Sequence, residues 1–159
     1  MSQFTRSFSK PSFKICSIDI TRASTSFSTR FVTYVNEYLG ITGGNCNRSS
    51  KALNADLLSV SIDSEHAHKA WIEAGLGPVN YPMASDITKQ VSKDYGVLIE
   101  EEGIALRGLF IIDPEGVVRY SVVHDLNVGR NVDETLRVLE ALNNGGLCPV
   151  NWEKGDDLL

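Results

Sequence analysis

The stretch that most constrains this chain is Leu109-Phe-Ile-Ile112, a continuous apolar run closed by Asp113-Pro-Glu-Gly116. The run is rich in β-branched and aromatic residues. Pro presets φ for a turn, and Gly tolerates φ > 0. A second apolar run, Val117 to Val123, follows at once. Together they predict a β-hairpin with a short loop at the centre of a sheet. Arg107 sits at the mouth of the first strand. A cation there is either a solvated strand end or an anion holder, and the hairpin alone does not choose between them.

The sequence around the hairpin alternates strand and helix signals. Asp56 to Ile62 reads as a buried strand. Asp63-Ser64 supplies an N-cap with Glu65 in the first turn, which opens a helix through about Ala74. Gly75, Gly77 and Pro78 end it. Tyr81 to Ser85 reads as a short strand. Asp86 caps a second helix from Ile87 to about Tyr95, and Gly96 stops it. After the hairpin and a loop at Asn127–Arg130, Asn131 or Asp133 starts a long helix through about Asn143. There Val132, Leu136, Leu139 and Leu142 recur at helical spacing. This order predicts an α/β fold, a mixed sheet flanked by helices.

Residues 1–50 are a different kind of sequence. They hold six Lys/Arg, two Asp/Glu and sixteen Ser/Thr. Residues 1–30 have the composition of a mitochondrial or plastid transit peptide or of a disordered terminus, and residues 1 to about 50 that of a frame-shifted or mispredicted segment joined to an intact body. Phe31 to Leu39 is more apolar and suits a strand or a helix start. The expected division is a divergent segment, 1–50, and a folded body with a C-terminal tail, 51–159. The net charge of −5 argues against nucleic acid as a partner. No apolar run approaches the ~20 residues that span a bilayer. Three cysteines, Cys16, Cys46 and Cys148, do not make a disulfide scaffold but leave room for a reactive thiol.

Residues 51–159 carry Leu58-Ser-Val-Ser-Ile-Asp-Ser64, His68-Lys-Ala-Trp-Ile72, Gly75-Leu-Gly-Pro-Val-Asn80, Tyr95-Gly-Val-Leu98, Gly103-Ile-Ala-Leu-Arg-Gly-Leu-Phe-Ile-Ile-Asp113, Asp125-Leu-Asn-Val-Gly-Arg-Asn-Val-Asp-Glu134 and Cys148-Pro-Val-Asn-Trp152. In this order the motifs closely resemble a typical two-cysteine peroxiredoxin. The resemblance implies a thioredoxin-like fold, here with its first strands degraded or missing. It implies reduction of hydrogen peroxide and organic hydroperoxides, with thioredoxin or a similar dithiol protein as reductant and no cofactor. It also implies a homodimer or higher ring where the interface survives. Family chemistry uses a thiolate that attacks the peroxide O–O bond and becomes a sulfenic acid, which a second cysteine captures as a disulfide. Arg107 matches the arginine that orients peroxide and thiolate. Arg130 matches a second arginine near the site, and Cys148 matches the resolving cysteine.

The peroxidatic motif is where the sequence departs from the family. Gapless alignment puts Asn36 at the peroxidatic position, with Thr33 on the motif threonine. Asn cannot form a thiolate. Cys46, ten residues later, is the available substitute nucleophile, although ten helical residues span ~15 Å. Two function classes therefore stand: a thiol peroxidase, or a catalytically dead peroxiredoxin-like body serving as an oligomerisation or protein-binding module. The expected location is cytoplasmic, or an organelle if residues 1–30 act as a transit peptide. His66, His68 and His124 read as surface histidines, not metal ligands, since positions 66 and 68 point to different helix faces. Trp71 reads as core or a helix–sheet contact, and Glu100-Glu101-Glu102 as a solvated loop.

Overall fold

A computed structural model of the chain describes residues 29–34, 51–76 and 79–159. Cys16, Asn36 and Cys46 lie outside them. Five strands form one mixed sheet in the order β3-β2-β1-β6-β7. They are β1 (Thr29–Tyr34), β2 (Ala55–Ser61), β3 (Met83–Ser85), β6 (Arg107–Ile112) and β7 (Val118–His124). β4 (Leu98–Ile99) and β5 (Ile104–Ala105) make a separate two-stranded hairpin. Its turn carries the exposed Glu100 and Glu101.

One strand of the N-terminal segment is thus present, in the middle of the sheet. β1 pairs in parallel with β2, Phe31 opposite Leu57, and antiparallel with β6, Phe31 opposite Ile111. β2 and β6 are each flanked on both sides, and their sequences follow from that. Leu109, Phe110, Ile111, Leu57 and Val60 are all buried. Side chains alternate across the strands, so they supply two cores. Ala55, Leu57, Leu109 and Ile111 pack with Leu139 on one face, and Val60 and Phe110 pack with Val97 and Ala105 on the other. β7, at the edge, alternates instead, with Val118 and Val123 exposed and Tyr120 and Val122 half-buried.

The hairpin turn works as its sequence requires. Gly116 takes φ +83°, and Asp113 Oδ1 accepts from the Val117 N–H at 2.7 Å. That bond, with Arg119 at 2.6 Å, holds the Asp113 carboxyl below the usual carboxylate range.

The helices follow their caps more closely than their predicted lengths. Ser64 accepts from the Ala67 N–H and starts α1 (Glu65–Trp71). The α-helix then widens into one π turn, Ile72–Leu76. α2 is only Gln90–Asp94. Asp86 does cap it, but from a distance. Its carboxylate accepts from the Val91 N–H, the Ser92 N–H and the Ser92 hydroxyl, which leaves residues 87–89 in a turn. α3 (Val132–Asn144) begins at Asn131, whose side chain accepts from the Glu134 N–H, and ends at Gly145 with φ +73°. The third strand begins at Met83 rather than Tyr81.

Two further expectations are corrected. Trp71 is 39% exposed, so it is not core. Its ring lies 5.5 Å from that of His68, which is buried at 4% exposure and so is not a surface histidine.

Candidate active site

Arg107 opens β6 and pairs across the sheet with His124, the last residue of β7. The chain then turns tightly. Leu126 N–H donates to Asp125 Oδ1 at 2.7 Å and Val128 N–H to the Asp125 carbonyl at 3.1 Å. The turn brings the Gly129 carbonyl back to within 2.9 Å of His124 Nδ1. A carbonyl only accepts, so Nδ1 carries the proton and donates. Arg130 comes next, and the fold returns it toward Arg107. Burial, followed by the Arg107 charge, lowers the Arg130 guanidinium below the ordinary arginine value, and Tyr81 opposes the shift. Two guanidiniums therefore share one end of the sheet, a place where developing negative charge is stabilised. β1 runs to the same end, because Thr33 pairs with Leu109, two residues from Arg107.

Cys148 lies in the tail that follows α3, whereas Arg130 precedes that helix. Cys148 is half-buried in a tail that α3 holds. Arg137 donates from Nη1 to the Trp152 carbonyl at 2.8 Å, and Lys154 pairs with Glu140 at 2.8 Å. Trp152 is 2% exposed, and its Nε1–H donates to the Asp156 carbonyl. The Glu134 carboxylate, followed by the charges around it, raises the Arg137 guanidinium, and Cys148 contributes to that field.

One cluster escaped the sequence reading. His68 Nε2 lies 2.7 Å from Ser61 Oγ, and the Ser61 hydroxyl donates to Asp63 Oδ2 at 3.0 Å. The serine proton is thus engaged, so Nε2–H donates to Oγ, and Nδ1 has no partner among the described residues. Burial pushes the imidazole below its ordinary range, although the Asp63 and Glu65 charges oppose this. Serine, histidine and aspartate here do not form a hydrolytic triad. The aspartate contacts the serine rather than the imidazole, and Ser61 is 4% exposed. The signal for this cluster was the inward position of Ser61 on β2. His68 also lines an open cleft of about 300 Å³ with Ile72, Val79, Tyr81 and Met83.

Among the described residues, no three His, Cys, Asp or Glu side chains are grouped to hold a metal ion. Among them, no helix is long and apolar enough to cross a membrane.

The chain is similar to known proteins in both sequence and fold. The AhpC/TSA family model matches residues 45–121. A putative peroxiredoxin in the rubredoxin operon of Clostridium pasteurianum is 63% identical over 112 residues, covering 67% of this chain and 63% of the relative. The chloroplastic 2-Cys peroxiredoxin BAS1 of Spinacia oleracea is 50% identical over 113 residues, covering 65% of this chain and 43% of the relative. The chain thus spans less than two thirds of the length of these curated relatives. The crystal structure of reduced Plasmodium vivax 2-Cys peroxiredoxin superposes with a TM-score of 0.74 at 31% identity, covering 82% of this chain and 76% of that one. Mycobacterium bovis AhpC gives 0.70 at 36% identity, covering 79% and 75%.

Proposed function

This chain belongs to the peroxiredoxins of the two-cysteine type, and from that premise we propose that it is a thiol peroxidase acting on hydrogen peroxide and organic hydroperoxides. The observation that supports the reading is the Arg107–Arg130 pair at the sheet end to which β1 runs. Two cations there stabilise a thiolate and polarise the bound peroxide. In the reaction, the thiolate sulfur bonds to one peroxide oxygen and the O–O bond breaks. The other oxygen leaves with a proton as water or alcohol, and the sulfur becomes a sulfenic acid. A second thiol displaces water from it to form a disulfide, which a dithiol protein such as thioredoxin reduces.

In this reading Arg107 orients peroxide and thiolate, Arg130 supports it, and Cys148 resolves. In this reading, as in the family chemistry, the resolving thiol that reaches Arg107 comes from a second copy of the chain. A homodimer or larger ring follows from that. Asn36 occupies the aligned nucleophile position and Cys46 is the substitute. The reading carries a cytoplasmic location, with an organelle as the alternative if residues 1–30 act as a transit peptide.

The test is a coupled peroxide-consumption assay with a dithiol reductant, on the chain and on Cys46→Ser, Cys148→Ser and Asn36→Cys. The reading expects turnover that is lost in Cys46→Ser, slowed in Cys148→Ser and raised in Asn36→Cys. Absence of turnover from both the chain and Asn36→Cys would refute it and leave a peroxiredoxin body that acts only through assembly.

A further inference from the structure

Arg130 stands in an unfavourable place. Burial and the like charge of Arg107 both work against its guanidinium. Tyr81 works in its favour, and the backbone on either side of Arg130 is anchored as well. On the far side, Asn131 is the anchor, as the N-cap of α3. Its Oδ1 accepts from the Glu134 N–H at 3.1 Å, and its carbonyl accepts from the Thr135 hydroxyl at 2.9 Å. On the near side, the bond that fixes residue 129 comes from His124 Nδ1. Arg130 is the single residue between these two anchors. His124 is itself fixed by pairing with Arg107.

We infer that His124 is a positioning residue, whose Nδ1–H holds the Gly129 carbonyl and thereby keeps the Arg130 guanidinium beside Arg107. The geometry makes this specific to one atom. Asparagine carries an amide N–H about where His124 carries Nδ1. Glutamine carries its amide one carbon farther out and overshoots the carbonyl. The importance of the bond to catalysis rests on the proposed function, but the positioning itself does not.

The test is the rate at which phenylglyoxal modifies Arg130, followed by peptide mass spectrometry on the full chain. Arg119, more than half exposed on the same hairpin, is the internal reference. His124→Leu should raise the Arg130/Arg119 ratio about two- to tenfold, the range one neutral hydrogen bond supports. His124→Asn should restore the ratio, and His124→Gln should not. An unchanged ratio in His124→Leu, or an equal rise in all three variants, overturns the inference. If His124→Leu does not fold, with Arg119 accelerating as well, the Asn–Gln comparison decides alone.

A second arm uses the Asn36→Cys background and reads the thiol pKa by thiolate absorbance. Arg130→Gln should raise it by about one unit, and His124→Leu should move it the same way. If Arg130→Gln leaves the pKa unchanged while the modification ratios behave as stated, the assigned role of Arg130 fails and its positioning by His124 stands.

Discussion

Gly108 separates Arg107 from the most buried part of β6, and replacing it with alanine tests whether the core fixes that strand end. A methyl at this position would lie 2.9 Å from Phe110 Cε2 and 2.9 Å from Val97 Cγ1. Ordinary carbon contacts are ~3.5–4.0 Å, so about an ångström must be found on two sides. Neither neighbour gives way readily. Val97 is 0% exposed, and Phe110, at 5%, is pinned edge-on against Tyr95 with ring centroids 4.8 Å apart. Overpacking of this kind costs about 1–3 kcal/mol. At about 2–4 °C per kcal/mol, the melting midpoint falls by about 2–12 °C. Val97→Ala alone costs about 1–3 kcal/mol through the cavity it leaves. In the double variant the new methyl fills part of that cavity, so the two losses should fall short of additive by at least about 0.5 kcal/mol. Urea melts of the four proteins in reducing buffer give the cycle directly, provided the slopes agree. A Gly108→Ala protein within about 0.5 kcal/mol of the parent, or strictly additive losses, would refute the packing argument.

Two further outcomes follow from the buried side chains. His68 titrates below its unfolded value of about 6.5, so it favours the fold in its neutral form. Its contribution is complete above about pH 6.5 and is lost as pH falls toward the lowered folded value. Urea midpoints should therefore decline between pH 7.5 and 5.5, and His68→Phe should flatten the decline; an unaltered slope in the variant would refute this. Trp152→Ala removes the tail's buried anchor and should cost about 3–5 kcal/mol if tail and body unfold together. If the tail releases first, limited proteolysis beyond Gly145 accelerates while the melt of the body stays put.

The features legible in the sequence were those set by local chemistry. Leu109 to Ile112 is apolar throughout because both its flanks and both its faces are covered. Ser64 and Asn131 announce their helices because a cap needs only the next turn of backbone. The motifs singled out Arg107 and Arg130, and the structure brings their charges within reach of each other. What was not legible depends on residues remote in the chain. Thr-Arg-Phe-Val-Thr-Tyr is only half apolar and becomes the central strand through two partners, the second of which begins at Arg107. His68 is buried because Ser61 offers an acceptor from another element, and helical spacing carries no trace of that. Residues 87–89 failed to become helix because Asp86 spends its carboxylate on the N–H groups of Val91 and Ser92. His124 passed as a surface histidine because its partner is a backbone carbonyl, which no side-chain pattern reveals.

The placement of β1 has a consequence for the order of events as the chain is made. β1 leaves the ribosome before either of its neighbours. β2, beginning at Ala55, reaches it early, but β6 arrives only after α1, α2 and the β4–β5 hairpin have been synthesised. Until then the side of β1 that will take β6 is an open edge of unpaired amides and carbonyls. Closing it takes a long loop, which makes the step slow. The nascent chain is therefore most exposed to mispairing while the hairpin that completes the sheet is still unmade, and a chaperone that shields a strand edge would act best in that interval.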